Sequence, residues 1–371
     1  MKKIISIMFT ILAIIGLVNL HAAEPTVQSI GYAAMKPEWK FTPYQFQRRA
    51  VGDDDVLIEI KYCGICHTDL HIVAQDWSKM PFPMVPGHEV AGVVVKVGKN
   101  VKKFQVGDHA GVGCMVNSCG HCEHCDANDE QFCTKSVFTY GFKDNDGSIT
   151  MGGYSNNIVV TEKFAVKIPK DAPLDKAAPL LCAGITTYSP IMHYNVKKGE
   201  KVGVAGFGGL GDMAVKYALA LEANITAFDV SEAKREHADN LGIKYVNVTK
   251  PEEMKGHDNT FDFIISTIPK KYDVDVYVKM LKKDGTLVIV GMPPKDETSY
   301  ISTPVLTARK KVTGYLIGGM METQEMIDFS VKHGIYPTIE LISIQDLDKA
   351  YQNLSQGKAT ARYVIDMESL K

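Results

Sequence analysis

Four of the chain's eight cysteines fall within the 15 residues CGHCEHCDANDEQFC, at 119–133, separated by two, two and seven residues. Cys119, Cys122, Cys125 and Cys133 can surround one tetrahedral Zn²⁺, because two-residue spacings let successive thiolates fold onto the same ion. Disulfides are the weaker reading, since cysteines this close in sequence make strained bridges. His121 and His124 lie among them as tempting extra ligands, but four thiolates already complete a structural site. A second set is dispersed over CGICHTDLH (63–71), PGHE (86–89) and LLCAGITTY (180–188). A cysteine, a histidine and a cysteine gathered from such distant segments form the three-ligand site of a catalytic zinc, with the fourth position left for water or substrate. Read singly, each has a plainer explanation, such as Cys182 as a small buried apolar residue.

The stretch GVAGFGGLGDM (203–213) carries Gly206, Gly208 and Gly211 in G-x-G-x-x-G spacing, with Gly209 inside the loop. These glycines permit a tight turn, close backbone approach to a pyrophosphate and close helix packing, and the helix N-terminus adds amide donors. Asp229 ends the next strand 18 residues after Gly211, where a carboxylate accepts from both adenosine ribose hydroxyls. That carboxylate would repel a 2′-phosphate and so favours NAD. Lys234 and Arg235 could soften the repulsion, although a solvated helix face explains both. Asp212 suits a helix first turn but adds negative charge near a pyrophosphate.

These groups need a scaffold. VLIEIKY (56–62), VAGVVVKVG (90–98) and HAGVG (109–113) alternate with turn residues, which predicts an irregular, largely antiparallel β domain. From about 183 the rhythm becomes strand then helix, with a helix from Gly211 to about Glu222 and another that Ser231 can cap and Gly242 can end. A helix across 274–282 follows. The count of about six strands is that of a doubly wound dinucleotide-binding sheet. Helices at 323–333 and 346–356 and a strand in ARYVIDM do not extend the repeat. The expected division is a leader at 1–23, a catalytic domain at 24–182, a cofactor domain at 183–320 and a C-terminal return to the catalytic domain at 321–371.

At 371 residues the chain is long enough for two domains. Its hydrophobic content of 45% and charged content of 23% are those of a globular protein. A formal net charge of −2 argues against nucleic-acid binding, which needs clustered Lys and Arg. Lys2 and Lys3, the uncharged run Ile4 to Leu20, and Ala22 and Ala23 have the order of a secretory signal peptide, with an uncleaved anchor as the alternative. The leader points to the periplasm; the cytoplasmic NAD(P) pools and the oxidising space that unfolded thiols would meet point the other way.

Together, CGICHTDLH, VPGHEVAGVV, the four-cysteine lobe, APLLCAGITTYSP, GFGGLG and ARYVID resemble the zinc-dependent medium-chain alcohol dehydrogenases, and closely the cinnamyl alcohol dehydrogenase branch with its bacterial aldehyde reductases. The resemblance runs from about Val27 to the C-terminus. It implies an α/β protein with a GroES-like irregular β catalytic domain and a Rossmann doubly wound parallel-sheet domain. It implies two zinc ions per subunit, the catalytic one on Cys66, His88 and Cys182, with Glu89 the adjacent carboxylate that can enter the coordination sphere. Cys63 and Cys114 then remain as non-ligand thiols. Thr68 fills the hydroxyl position beside zinc and His71 the outer proton-relay position, while Trp77 lines the pocket or sits in the core. Thr186 lies at the cofactor-facing helix start, and Arg362 reaches the cofactor phosphates. The branch favours NADP and usually carries Ser or Thr where this chain has Asp229, and His where it has Asp212. The implied reaction is reversible hydride transfer between a primary alcohol and NAD(P), in a pocket that Trp77, Met115 and Ile317 make apolar. A homodimer joined through Val312 to Ile317 is also implied. The rivals are a zinc-free quinone or enone reductase and a zinc-binding interaction module, both disfavoured by the combination of motifs and the charge balance.

Overall fold

The computed structural model describes residues 25–295 and 308–370. The leader reading at 1–23 lies outside the described residues. Among the described residues no helix is long and apolar enough to cross a membrane.

The strand Asp55–Gly64 alternates buried and partly exposed side chains over much of its length, as a strand covered mainly on one face must. It pairs antiparallel with Val90–Val97 and Asn157–Thr161. Its sheet runs Ile339–Ser343, Arg362–Asp366, Asp55–Gly64, Val90–Val97, His109–Val112, Val166–Ile168, so the C-terminal strand Arg362–Asp366 lies beside one of the first. This is the irregular, largely antiparallel unit expected of the N-terminal half.

The second sheet is parallel throughout, in the order Lys244–Asn247, Asn224–Asp229, Lys201–Ala205, Phe261–Ser266, Leu281–Ile289, Lys311–Gly314. Numbered along the chain this is 3-2-1-4-5-6, the doubly wound order whose reversal opens a crevice at the strands' carboxyl ends. One large core joins the two sheets through residues such as Ile58, Leu181, Ile185, Tyr217 and Met326, and a second, around Phe228, Phe261 and Leu287, packs within the parallel-sheet unit.

Local differences from the sequence reading have local causes. The cofactor-loop helix spans Gly209–Ala220, opening two residues early because extended Gly208 serves as its N-cap. Ser231 stands at the N-cap of the turn Glu232–Lys234, but its side chain makes no cap bond there. Its backbone N–H instead goes to Asp229 Oδ1 at 3.1 Å, so the preceding carboxylate anchors the turn.

Candidate active site

Cys66 is the N-cap of the helix His67–Ala74. Asp69, in the first turn, folds back to accept the Cys66 N–H at 2.9 Å, which fixes the cysteine where strand gives way to helix. His88 and Glu89 directly precede the strand Val90–Val97, after a turn in which Gly87 takes φ +99°. Cys182 is the N-cap of the helix Ala183–His193. Three element ends thus converge, and ligand atoms of Cys66, His88, Glu89 and Cys182 all lie within 4.8 Å of one another.

The donor set fits a zinc ion. The Cys66 and Cys182 sulfurs are 3.9 Å apart, as two thiolates on one tetrahedral zinc would be with bonds of about 2.3 Å. His88 commits Nδ1 to Asp69 Oδ1 at 3.0 Å, leaving Nε2 buried without a hydrogen-bond partner. Glu89 Oε2 is buried and unpartnered too, which costs free energy unless a cation or proton satisfies it. A hydrogen bond from Cys182 holds the Cys66 thiol well below its ordinary pKa, against burial and with help from His88. Burial lifts the Glu89 carboxyl to about 8, although Arg362 pulls the other way.

Arg362 spans the two halves of the site. Its Nη2 hydrogen-bonds to Glu89 Oε1, and its Nη1 lies 2.9 Å from where a Cβ on Gly209 would stand. Burial opposes its charge, but Glu89, then Cys66 and Cys182, raise its pKa above the ordinary value. The glycine loop fits a dinucleotide. Gly206 takes φ +86°, a Cβ on Gly211 would fall 2.0 Å from the Gly206 carbonyl, and space is open beside Gly208. Asp229 accepts from the Phe207 N–H at 2.7 Å and pairs with Lys234 at 3.0 Å. Lys234 and Arg235 are therefore not a solvated face: Arg235 is held by Glu232 and Glu253 and lies over Tyr245, which removes it from the ribose pocket. Asp212 is paired with His237 and Lys216, both at 2.7 Å, so its charge is offset.

Thr68 stands half-buried in the first turn of the helix His67–Ala74, with His71 one turn on. His71 Nδ1 bonds Asp76 at 2.7 Å, and its Nε2 is buried and unpartnered. Trp77 packs against His71 at 5.0 Å between rings and donates its indole N–H to Pro293 O at 3.1 Å. Met115 and Ile317 share a cavity of about 10 Å³ with Cys114, Leu181 and Ile185, and Trp77 is not among its walls. Thr186 is buried one turn into the helix that Cys182 opens, its N–H on Cys182 O. Cys63 is buried with its pKa raised by burial, whereas the Cys114 thiol is lowered by a hydrogen bond with Cys182.

Cys119, Cys122, Cys125 and Cys133 form the second cluster within 4.8 Å, with sulfur separations of 3.6 Å and 3.8 Å to Cys125. His121 turns back to Cys119 O at 2.6 Å and His124 meets the Phe132 ring, so neither belongs to the set. Sequence reasoning missed Asp69, the buried carboxylate behind both Cys66 and His88. Its only signal was an acidic residue three positions after a ligand cysteine at a helix start.

Two family models match the chain: the alcohol dehydrogenase GroES-like domain over residues 52–170 and the zinc-binding dehydrogenase domain over 209–332. A probable formaldehyde dehydrogenase, AdhA, of Bacillus subtilis (strain 168) is 47% identical over 95% of this chain and 99% of its own. The crystal structure of CAD from Helicobacter pylori complexed with NADP(H) is 52% identical, with a TM-score of 0.89 over 93% of this chain and 99% of that one. A cinnamyl alcohol dehydrogenase, SbCAD4, from Sorghum bicolor is 38% identical, with a TM-score of 0.89 over 92% and 98%.

Proposed function

The chain belongs to the zinc-dependent medium-chain alcohol dehydrogenases, in the cinnamyl alcohol dehydrogenase branch, and from that premise we propose how its residues divide the work. The reaction is reversible hydride transfer between a primary alcohol and a nicotinamide cofactor.

Cys66, His88 and Cys182 would hold the catalytic zinc, and the orphaned Nε2 of His88 is the observation that carries this reading. When bound, zinc supplies a Lewis acid that acidifies the alcohol and polarises the aldehyde, and the nicotinamide supplies the hydride chemistry. Thr68 accepts the hydroxyl proton, and His71, its Nδ1 fixed by Asp76, passes it toward solvent. Glu89 waits beside the ligands under the hold of Arg362. Gly206, Gly208, Gly209 and Gly211 make room for the pyrophosphate, Arg362 faces its charge, Thr186 faces the cofactor and Asp229 takes the adenosine ribose. On Asp229 we read NAD(H) as preferred, although the Helicobacter pylori relative holds NADP(H).

Cys119, Cys122, Cys125 and Cys133 would hold a second, structural zinc, making two per chain. The exposed edge at Lys311–Gly314, running on to Ile317, is the proposed homodimer seam, since such an edge must be paired or covered. Export to the periplasm stays a proposal resting on Lys2, Lys3 and the run to Leu20; N-terminal sequencing of the fractionated protein tests it. For the site itself, metal analysis should find two zinc ions per chain, and one in Cys66→Ala, together with lost turnover. A variant that keeps both zinc ions and its turnover refutes the assignment.

A further inference from the structure

Asp69 is fully buried. Its Oδ1 accepts from His88 Nδ1 at 3.0 Å, Gly87 N at 3.3 Å and the Tyr140 hydroxyl at 2.7 Å. Its Oδ2 accepts from Cys66 N at 2.9 Å and the Tyr154 hydroxyl at 3.2 Å. Tyr351, from the C-terminal helix Leu347–Ser355, donates to the Tyr154 oxygen at 3.1 Å. Among the described residues no lysine or arginine pairs with Asp69, so neutral donors carry much of the task of spreading its charge. Burial raises the hydroxyl pKa of all three tyrosines well above the ordinary value, which keeps them protonated as donors.

We propose that Tyr140 and Tyr154 set how strongly Asp69 holds the His88 imidazole, and through it how firmly His88 grips the catalytic metal. Both are positioning residues. The charge on a carboxylate is shared among its donors, and in a desolvated network each donor weakens the others' claim. Tyr140 competes with His88 for one oxygen. Removing its hydroxyl makes Oδ1 a stronger acceptor for the His88 N–H, and a more strongly held imidazole is a more basic ligand at Nε2. The expected effect is therefore opposite in sign to that of a packing defect, which would loosen the metal.

The inference rests on the ligand set proposed above, and the zinc count of Cys66→Ala tests that set independently of any tyrosine. The probes are the low-field proton resonance of His88 Nδ1–H and the rate at which zinc passes from the full-length holoenzyme to dipicolinate. The catalytic ion is identified as the one missing from Cys66→Ala. Tyr140→Phe should move the resonance downfield and slow release of that ion about threefold, a fraction of the roughly ten- to hundredfold effects seen when a ligand's direct partner is lost. Tyr154→Phe should act in the same direction but less, because its bond is longer and falls on the other oxygen. Should Tyr140→Phe fail to fold, Tyr351→Phe carries the test: it weakens the Tyr154 donor from farther away and should give a smaller downfield movement. A resonance that stays put or moves upfield, or a faster release, overturns the proposal.

Discussion

Asp229→Ser should exchange the cofactor preference from NADH to NADPH. The Asp229 side chain is 9% exposed and is held by Phe207 N–H, Ser231 N–H and Lys234, so it stays where a ribose would meet it. A 2′-phosphate carries a charge of about −1.5 to −2. Placed about 5 Å from the carboxylate, with an effective dielectric of about 40–80 at the pocket mouth, it would be repelled by about 1.5–3 kcal/mol. Serine removes that repulsion and frees Lys234, whose ammonium is 3.0 Å from Asp229, to pair with the phosphate. NADH loses its charged ribose acceptor, at a cost of about 1.5–3 kcal/mol. The two changes act on the ratio of kcat/KM for NADPH over NADH in the same direction, so it should rise about a hundredfold or more. The assay is aldehyde reduction with each cofactor at low and high salt, where screening should shrink the NADPH gain. A change in the ratio below about threefold would refute the reasoning, as would an Asp229→Ser enzyme indifferent to a further Lys234→Ala.

Trp77→Phe keeps the ring against His71 but loses the bond to Pro293 O, so NAD(H) should dissociate about two- to tenfold faster in stopped-flow measurements. Gly211→Ala drives a Cβ to 2.0 Å from the Gly206 carbonyl, and the displaced loop should raise the cofactor KM by up to roughly a hundredfold. Glu130 is buried, with Oε1 at 3.1 Å from Lys163 and Oε2 accepting the Met320 N–H at 3.1 Å; Glu130→Ala should lower stability by about 1–3 kcal/mol in a denaturant titration. The Asn247 amide and Arg235 hold Glu253 at about 2, below the unfolded value of about 4.3. Its stabilising contribution is thus complete above about pH 4.3 and lost as the pH falls toward 2, and Glu253→Gln should flatten that part of the urea midpoint profile.

Elements with strong local signals were legible in the sequence. The six parallel strands could be counted because buried β runs alternate with amphipathic helices, and the four-cysteine lobe because its ligands share one short segment. The gathering of Cys66, His88 and Cys182 followed from the motifs around them. What the sequence hid depends on long-range contact. Asp69 meets Tyr140 and Tyr154, 71 and 85 positions away, and nothing local to either tyrosine signals a buried carboxylate. Lys310 looks like part of a basic surface run, yet it is buried with its ammonium on the Val278 and Lys279 carbonyls at the end of the helix Val274–Met280. Lys234 and Arg235 were taken for a solvated face because their partners Asp229 and Glu253 lie on opposite sides of them in the chain.

The place of Arg362–Asp366 beside Asp55–Gly64 imposes an order on synthesis. A ribosome delivers the N-terminal sheet nearly 300 residues before the strand that finishes it. Until that strand emerges, Glu89 has no guanidinium to meet and the glycine loop has no Arg362 behind it. Cys66, His88 and Cys182 can all be out of the exit tunnel while the counter-charge to their neighbouring carboxylate is still inside it. The nascent chain therefore presents a thiol-rich metal trap well before it can hold a cofactor, and any ion captured in that interval is captured by an unfinished site.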